Sequence, residues 1–466
     1  MSATTAMPAR AETAIAEVVR ADDDPRLRAA YAELRRRAFV EEQGLFAGTD
    51  EDAWDAHPAT RVLCAVDAAG EVLGGVRLHP ATDDASLGWW RGSRLVCAGP
   101  LGAARGAVGA ALVRRACEEA VDAGALRFDA HVQDRHRRFF ARLGWDDVRA
   151  VQVAGAEHRL MRWPVGRIAA LAEATKAPLG ALWNGLLGTP PEWRGDDGVP
   201  VPGCSVVAAT DAILPSMVAD DPEWAGWCGM LVTAHDLAAM GAAPVGALDA
   251  LAAPDADHAA RVARGLAAGA DALRLPLLGG HTQLGVGAAL SVTGLGRAAR
   301  PVPAGGGSAG DALRVTADLA GGWRPGYGRT QWDSSTGRSR EELALMLDAV
   351  RVAQPKAAKD VSMAGIAGTV GMLAEASGCG AELDVAAVPR PAGAGAADWL
   401  TCFPGFAMVT ADRPGAPPLP AGPATGAECG RLTADRGVRL RWPDGDVTTA
   451  LEGPVTGLGA TGGTTR

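Results

Sequence analysis

Four short motifs in one stretch limit what this chain can fold into. Gly195-Asp196-Asp197, Thr210-Asp211, Asp236-Leu237-Ala238-Ala239-Met240-Gly241-Ala242 and Gly279-Gly280-His281-Thr282 set carboxylates and glycines between short apolar runs. That pattern suits a magnesium–nucleotide site. Mg²⁺ prefers oxygen ligands and leaves part of its shell to water and phosphate, so a few aspartates suffice. Glycines let backbone N–H groups close in on phosphate oxygens. Each motif alone has an ordinary explanation. Gly-Asp-Asp is also a turn with solvated carboxylates, Asp236 a helix-face or cap residue, and His281 a hydrogen-bonded structural histidine.

At 466 residues the chain has room for about three folded units. Apolar residues make up 48% and charged residues 21%, with a mean hydropathy of +0.05, so sizeable cores are expected rather than disorder. The net charge of −9 and a pI near 5.5 argue against non-specific binding to nucleic acid or an anionic membrane. Eight scattered cysteines form no C-x-x-C and no zinc spacing, which reads as reduced thiols of a cytoplasmic protein. No signal-like or membrane-spanning run is apparent.

Residues 1–12 read as a loose tail. From 13 to 163, helix and strand patterns alternate: a helix over 26–39, a hairpin over 61–78, a helix over 106–123 ending at Gly124, a strand over 127–132, a helix over 136–143 and one final strand over 152–163. A bridging helix is expected over 168–187. Strands follow at 206–209, 244–251, 275–278 and 289–295, with helices at 230–240 and 258–270. The Gly-Gly-Gly-Ser of 301–310 reads as a flexible linker. A third unit has strands at 312–318, 381–385 and 407–411 and helices at 340–352 and 366–376. The Pro- and Gly-rich stretch after Pro414 reads as a frayed tail.

Taken in order and spacing, the four motifs resemble the N-terminal half of the AIR synthase (PurM-like) superfamily. That superfamily includes aminoimidazole ribonucleotide synthetase, formylglycinamidine synthetase, thiamine-monophosphate kinase, HypE and selenophosphate synthetase. Gly310-Asp311, Asp360-Val361-Ser362-Met363-Ala364-Gly365 and Glu375-Ala376-Ser377-Gly378-Cys379-Gly380 resemble its C-terminal half, and the resemblance covers about 190–412. It implies ATP and Mg²⁺ as cofactors, with Asp196, Asp197, Asp211, Asp236 and Asp360 as metal ligands. Gly279, Gly280 and Thr282 would meet the nucleotide, often across a dimer interface, with His281 standing where several members carry Asp. The chemistry implied is phosphoryl transfer that activates a carbonyl or amide oxygen. Lys176 lies where the selenophosphate branch uses a phosphate-handling lysine; a solvated surface lysine is the alternative. The selenium-carrying residue of that branch is absent, which disfavours selenophosphate synthesis.

Residues 30–163 resemble the GNAT N-acetyltransferase family. The carriers are Phe39-Val40-Glu41-Glu42-Gln43-Gly44, the loop-and-helix segment Ala104-Arg105-Gly106-Ala107-Val108-Gly109-Ala110, and His136-Arg137-Arg138-Phe139-Phe140-Ala141-Arg142-Leu143-Gly144-Trp145. By that resemblance Arg105, Gly106, Gly109 and Ala110 would face the pyrophosphate of acetyl-CoA or another acyl-CoA, and Glu41 or Glu42 would be the general base. A helix face with solvated charge is the alternative for the two glutamates. The pyrophosphate loop departs from the family pattern, and Phe140 replaces the tyrosine that protonates the leaving thiolate.

The expected fold is therefore α/β and α+β: a GNAT fold over 13–165, a helical linker over 166–189, and a two-part PurM-like unit over 190–300 and 306–412, with an extension over 413–466. The fusion resembles a bacterial family of nitrogen-starvation (nitrilase-type) gene clusters, which implies nitrogen-compound metabolism and partner enzymes of that cluster. A homodimer through the PurM-like part is expected. A bifunctional small-molecule enzyme is the leading expectation. A scaffold or sensor that binds nucleotide or acyl-CoA at degenerate sites is the alternative.

Overall fold

The structure is a computed structural model that describes residues 17–99, 102–177, 179–183 and 185–459. The expected tail at 1–12, the boundary at 13, Pro178 and the chain beyond 459 lie outside the described residues. Contacts divide the chain into two units, one comprising residues to Val165 with Gly395–Ala397, the other the rest from Gly166.

The first unit is built on one seven-stranded sheet. Its elements are β1 (Glu17–Arg20), α1 (Pro25–Arg35), β2 (Arg61–Val66), β3 (Val72–Pro80), β4 (Trp89–Cys97), α2 (Ala103–Asp122), β5 (Arg127–Gln133), α3 (Arg137–Arg142), β6 (Asp146–Val153) and β7 (Ala156–Trp163). The strand order is β1-β2-β3-β4-β5-β7-β6, antiparallel except for the β4–β5 pair. Asp24 caps α1 through hydrogen bonds from Arg26 N and Leu27 N, and Pro25 sits where a missing N–H is harmless. Arg36–Glu42 continues α1 as a π-helical turn. The single strand expected over 152–163 is a hairpin, because Ala154-Gly155 takes a left-handed turn and folds β7 back on β6. Leu112, Val113 and Ala116 of α2 pack against Leu63, Val76, Phe128 and Met161 of the sheet.

The second unit opens with α4 (Arg167–Thr175) and α5 (Leu179–Trp183), so the bridging helix is broken where the chain reads Lys176-Ala177-Pro178; a proline disfavours helical backbone in the residue before it. Next come β8 (Val199–Pro200), β9 (Val206–Ala212), α6 (Pro215–Asp220), α7 (Pro222–Ala239), β10 (Ala243–Ala253), α8 (Ala256–Ala272), β11 (Leu277–Leu284) and β12 (Ala289–Arg297). These strands form a sheet in the order β11-β10-β12-β9-β8. Almost all of α7 is buried, which fits its apolar residues on every face.

The remaining elements are β13 (Ala312–Ala317), β14 (Gly322–Trp323), β15 (Gln331–Asp333), α9 (Arg340–Ala353), β16 (Ala357–Asp360), α10 (Gly365–Ala376), β17 (Gly380–Asp384), α11 (Ala396–Thr401), β18 (Phe403–Pro404), β19 (Ala407–Asp412), β20 (Thr425–Thr433), β21 (Val438–Arg441) and β22 (Val447–Leu451). Seven of these strands make the sheet β16-β19-β13-β20-β17-β21-β22. α7 packs on both β16 and α9, so one core joins the two sheets.

Two expectations are corrected here. Up to Gly459 the stretch after Pro414 is no frayed tail: β20 pairs with β13 in the middle of the sheet, and β21 and β22 complete its far edge. The glycines at 305–307 are no flexible linker either. A Cβ at Gly306 would lie 1.8 Å from the carbonyl oxygen of Lys356, and Gly307 N donates to Ser377 Oγ at 3.2 Å. Glycine there serves close backbone approach rather than freedom.

Candidate functional site

Three distant segments converge on one point. Asp236 lies in the last turn of α7, Asp360 ends the buried edge strand β16, and Asp197 follows the Pro190-Pro191 turn ahead of β8. Each offers a carboxylate oxygen, and the three atoms lie within 4.8 Å of one another. Asp360 is 3% and Asp236 9% exposed. Asp197 is fixed from β16: Asp360 N donates to Asp197 Oδ2 at 2.9 Å, and Lys359 Nζ donates to its other oxygen. The same ammonium donates to the carbonyl of Gly195 at 2.9 Å.

Asp196 turns another way. Its Oδ1 accepts from Ala304 N at 3.2 Å, while its Oδ2 is buried without a hydrogen-bond partner. Asp211 on β9 lies close enough for its charge to act on both Asp236 and Asp360. Lys176, just after α4, reaches the site electrostatically, since its charge helps hold the Asp360 carboxylate down.

The electrostatics are those of a site short of positive charge. Burial first, then the charges of Asp211 and Asp360, push Asp236 well above the usual carboxylate range. Burial first, then Asp197 and Asp211, do the same to Asp360 against the opposing charges of Lys359 and Lys176. Burial pushes Asp196 up to about 7, with Lys359 opposing and Asp197 adding. The orphaned Asp196 oxygen and an all-oxygen donor set fit a hard divalent cation.

The Gly-Gly motif is placed elsewhere. Gly279, Gly280, His281 and Thr282 form the middle of exposed edge strand β11 rather than a turn. Gly280 pairs with Asp249, and a Cβ there would lie 2.0 Å from Asp249 Oδ1, so the strand can approach β10 only without a side chain. Three strand spacings, about 14 Å, separate β11 from Asp211 on β9. Within one chain these four residues do not join the aspartates.

In the first unit, Arg105, Gly106, Gly109 and Ala110 occupy the opening turns of α2. Arg105 donates to the carbonyl of Gly99 at 3.1 Å, and Gly109 lies buried beside Cys97 and Phe139. Glu41 and Glu42 are exposed at the end of the π-helical turn, with Glu41 ion-paired to Arg36. Phe140 is buried edge-on to Trp145.

Sequence reasoning passed over Lys359. Its signal was present: a lysine in the short run Ala357-Ala358-Lys359-Asp360 requires a partner if that strand is buried.

Comparison with known proteins places the surrounding fold. Residues 195–298 match the N-terminal domain of AIR synthase related proteins, and residues 285–442 match their C-terminal domain. An uncharacterized protein of Synechocystis sp., sll0787, is 37% identical over 227 residues, covering 47% of this chain and 70% of the relative. The chain belongs to the AIR synthase related family. A second relative, uncharacterized protein MJ0640 of Methanocaldococcus jannaschii, is 32% identical over 193 residues, which cover 40% of this chain and 59% of the relative. Among solved structures, T. maritima PurL complexed with ADP superposes with a TM-score of 0.50 at 15% identity, over 66% of this chain and 55% of PurL. That likeness is one of fold. The AIR synthase related part is thus a mixed α/β PurM-like fold over 195–442, and it contains Asp196, Asp197, Asp211, Asp236, Lys359 and Asp360. No described helix is long and apolar enough to cross a membrane.

Proposed function

We propose that residues 190–459 bind ATP with Mg²⁺ and transfer its γ-phosphoryl group to a carbonyl or amide oxygen of a small nitrogen compound. The observation that carries this reading is the meeting of Asp197, Asp236 and Asp360 within 4.8 Å, from segments more than a hundred residues apart at the extremes. Asp197, Asp236 and Asp360 would hold the metal, with Asp196 and Asp211 completing its surroundings. The bound cation would neutralise charge on the phosphates. The chain's own contributions are positional. Lys359 holds Asp197 and Gly195 in place, Lys176 presents a cation beside Asp360, and the buried walls keep water from the carboxylates. Calorimetry with ATP and Mg²⁺ tests this. Asp236→Asn removes a charge-assisted interaction of about 1.5–3 kcal/mol, so affinity falls roughly 10- to 100-fold. Unchanged affinity in that variant would remove Asp236 from the site, and a wild type that binds no nucleotide would leave the scaffold reading in its place.

The strand β11 favours a second element of this reading, a homodimer. All eight of its residues are exposed, Leu277, Leu278 and Leu284 among them, and Val245 and Leu248 of neighbouring β10 are exposed as well. An apolar exposed edge is a template for pairing. Across a two-fold, Gly279, Gly280, His281 and Thr282 would approach the partner's nucleotide. A monomer mass in light scattering at micromolar concentration, with nucleotide binding intact, would defeat it.

For the first unit we propose an acyl-CoA-binding, GNAT-like role. The α2 N-terminus that follows β4, with Arg105 and Gly106 in its first turn, supports the reading. Phe140 cannot donate a proton, so acyl-CoA binding is expected to outlast rapid turnover. Loss of acetyl-CoA binding on Gly109→Trp, which would drive an indole into Phe139 and Cys97, is the test.

A further inference from the structure

The segment after β22 carries no regular structure, yet its backbone is tied down by one side chain. Glu375, in the last turn of α10, accepts four hydrogen bonds from it. Oε2 takes Val455 N at 2.7 Å and Thr456 N at 2.8 Å. Oε1 takes Thr456 Oγ1 at 2.9 Å and Gly459 N at 3.1 Å. Thr456 Oγ1 in turn accepts from Leu458 N at 3.0 Å, and Val455 and Thr456 are buried. A carboxylate that receives this many donors from one strap fixes it more firmly than the strap's own turns would.

The strap touches two segments, each of which bears residues of the acid site. Thr456 O accepts from Gly180 N at 2.6 Å, four residues beyond Lys176. The two chains meet backbone to backbone, since a Cβ at Gly180 would lie 2.8 Å from Gly457 Cα. Further along, Leu458 and Gly459 lie against Gly195: a Cβ there would sit 3.7 Å from Leu458 Cβ and 4.0 Å from Gly459 N. Between these points the backbone bonds of Leu186, Trp193, Arg194 and Asp196 stay within their own short turns. Trp193 packs on the core between them and Lys359 holds Gly195 from β16; the strap adds a hold at Gly180 and a second one at Gly195.

We propose that Glu375 and Val455–Gly459 form a positioning clasp that holds Gly180, four residues beyond Lys176, and Gly195–Asp197 against the acid cluster, so that nucleotide affinity depends on this clasp. Glu375 touches no ligand in this role; it acts through the strap. The proposal rests on the nucleotide reading for its affinity arm and stands on the fold alone for its ordering arm. The test uses full-length protein, with Glu375→Gln, whose amide nitrogen cannot accept, and Thr456→Val as the milder variant. Hydrogen exchange of the free protein is read at 179–197 and at 312–317 as an internal reference, and Mg–ATP affinity is read by calorimetry below the melting temperature. We expect exchange at 179–197 to quicken by about tenfold or more with 312–317 unmoved, and affinity to fall about tenfold in Glu375→Gln. In a Lys176→Met background the same substitution should cost less, because the clasp works partly by placing that lysine. Unchanged exchange at 179–197 in both variants overturns the clasp. So does a loss spread evenly over 179–197 and 312–317 in Thr456→Val, which is the mark of general destabilisation. If the wild type binds no Mg–ATP, the proposed function fails, while the exchange arm still decides whether the clasp orders these segments.

Discussion

In the first unit Arg35, Arg77 and Arg94 face Asp50, Asp52 and Asp55; in the second, Asp196, Asp197, Asp211, Asp236 and Asp360 face Lys359 and, at longer range, Lys176. Each group has a buried heart, Arg35, Asp50 and Arg77 in the first and Asp236, Lys359 and Asp360 in the second, but their charges close differently. Arg77, 1% exposed, grips Asp52 through 2.7 and 2.8 Å hydrogen bonds and reaches Asp55 at 2.7 Å. Arg35 binds Asp50 at 2.7 Å, and Arg94 meets Asp50 at 3.2 Å and Asp52 at 3.0 Å. Burial alone would raise Asp55, yet the hydrogen bond from Arg35, with the backbone of Asp52 and the charge of Arg77, holds its carboxyl well below the usual range. In the second unit Asp236 and Asp360 lie deeper, their burial is not offset, and both are driven upward. A balanced cluster completes a fold, whereas an unbalanced one keeps protons unless a cation takes their place.

That contrast breaks most sharply under substitution. Arg77→Met should destabilise the first unit by about 1.5–3 kcal/mol, because it removes the charge-assisted bonds to Asp52 and Asp55 while Arg94 and Arg35 still meet those carboxylates. Asp236→Asn should do the reverse in metal-free protein, raising the melting temperature of the second unit by relieving like-charge repulsion even as it weakens Mg–ATP binding. Calorimetric scans of both variants decide the matter. If Asp236→Asn also lowers the metal-free melting temperature, the aspartates are structural and the two clusters are alike.

Much of the second cluster was legible in the sequence because its residues come in local motifs that also set the backbone: Gly195-Asp196-Asp197 makes a turn, and Asp360 ends a strand. What was not legible depended on contacts between distant segments. The tri-glycine at 305–307 reads as a linker until Lys356 is seen beside it, and β20 reads as tail until β13 offers it an open side. Gly279-Gly280 reads as a turn because glycine permits one, but Asp249 makes it a strand. Lys359 and Glu375 gave weak signals, since a charged residue in a segment that becomes buried states a need without naming the partner. Helix starts were clear where the cap is local, as at Ser339 with Glu342.

The pH dependence sharpens the comparison on a smaller scale. Asp196 sits at about 7 in the folded chain against 3.8 as its ordinary value. Between those limits the folded state keeps a proton that the unfolded state has released. Its contribution to stability is therefore complete below about 4 and is lost as pH rises towards 7. A divalent cation that displaces this proton gains as the proton leaves. The rise in the second unit's melting temperature on adding Mg²⁺ should accordingly grow from pH 5 to pH 8. Each kcal/mol corresponds to roughly 2–4 °C for a unit of this size. The first unit, with Asp52 and Asp55 held low by their arginines, should show no such Mg²⁺ response. A Mg²⁺ shift that is flat with pH would mean that the metal does not displace a proton at Asp196.

The smallest effect separates the two cations of the second cluster. Lys359 is fully committed, with its ammonium bonded to Gly195 and Asp197, whereas Lys176 is half-buried and acts on Asp360 only through its charge. Removing that charge by Lys176→Met should therefore make Mg²⁺ alone bind slightly more tightly, since one repelling cation is gone. The same variant should bind Mg–ATP more weakly, because the phosphates lose a cation. Interactions of partly exposed charges are worth about 0.3–1 kcal/mol, which is roughly two- to fivefold in each direction. The opposite signs are the informative part, and titrations of Mg²⁺ and of Mg–ATP into one preparation read both. If both affinities rise, Lys176 only opposes the metal and takes no share in holding phosphate. If neither moves, it belongs with the solvated surface lysines.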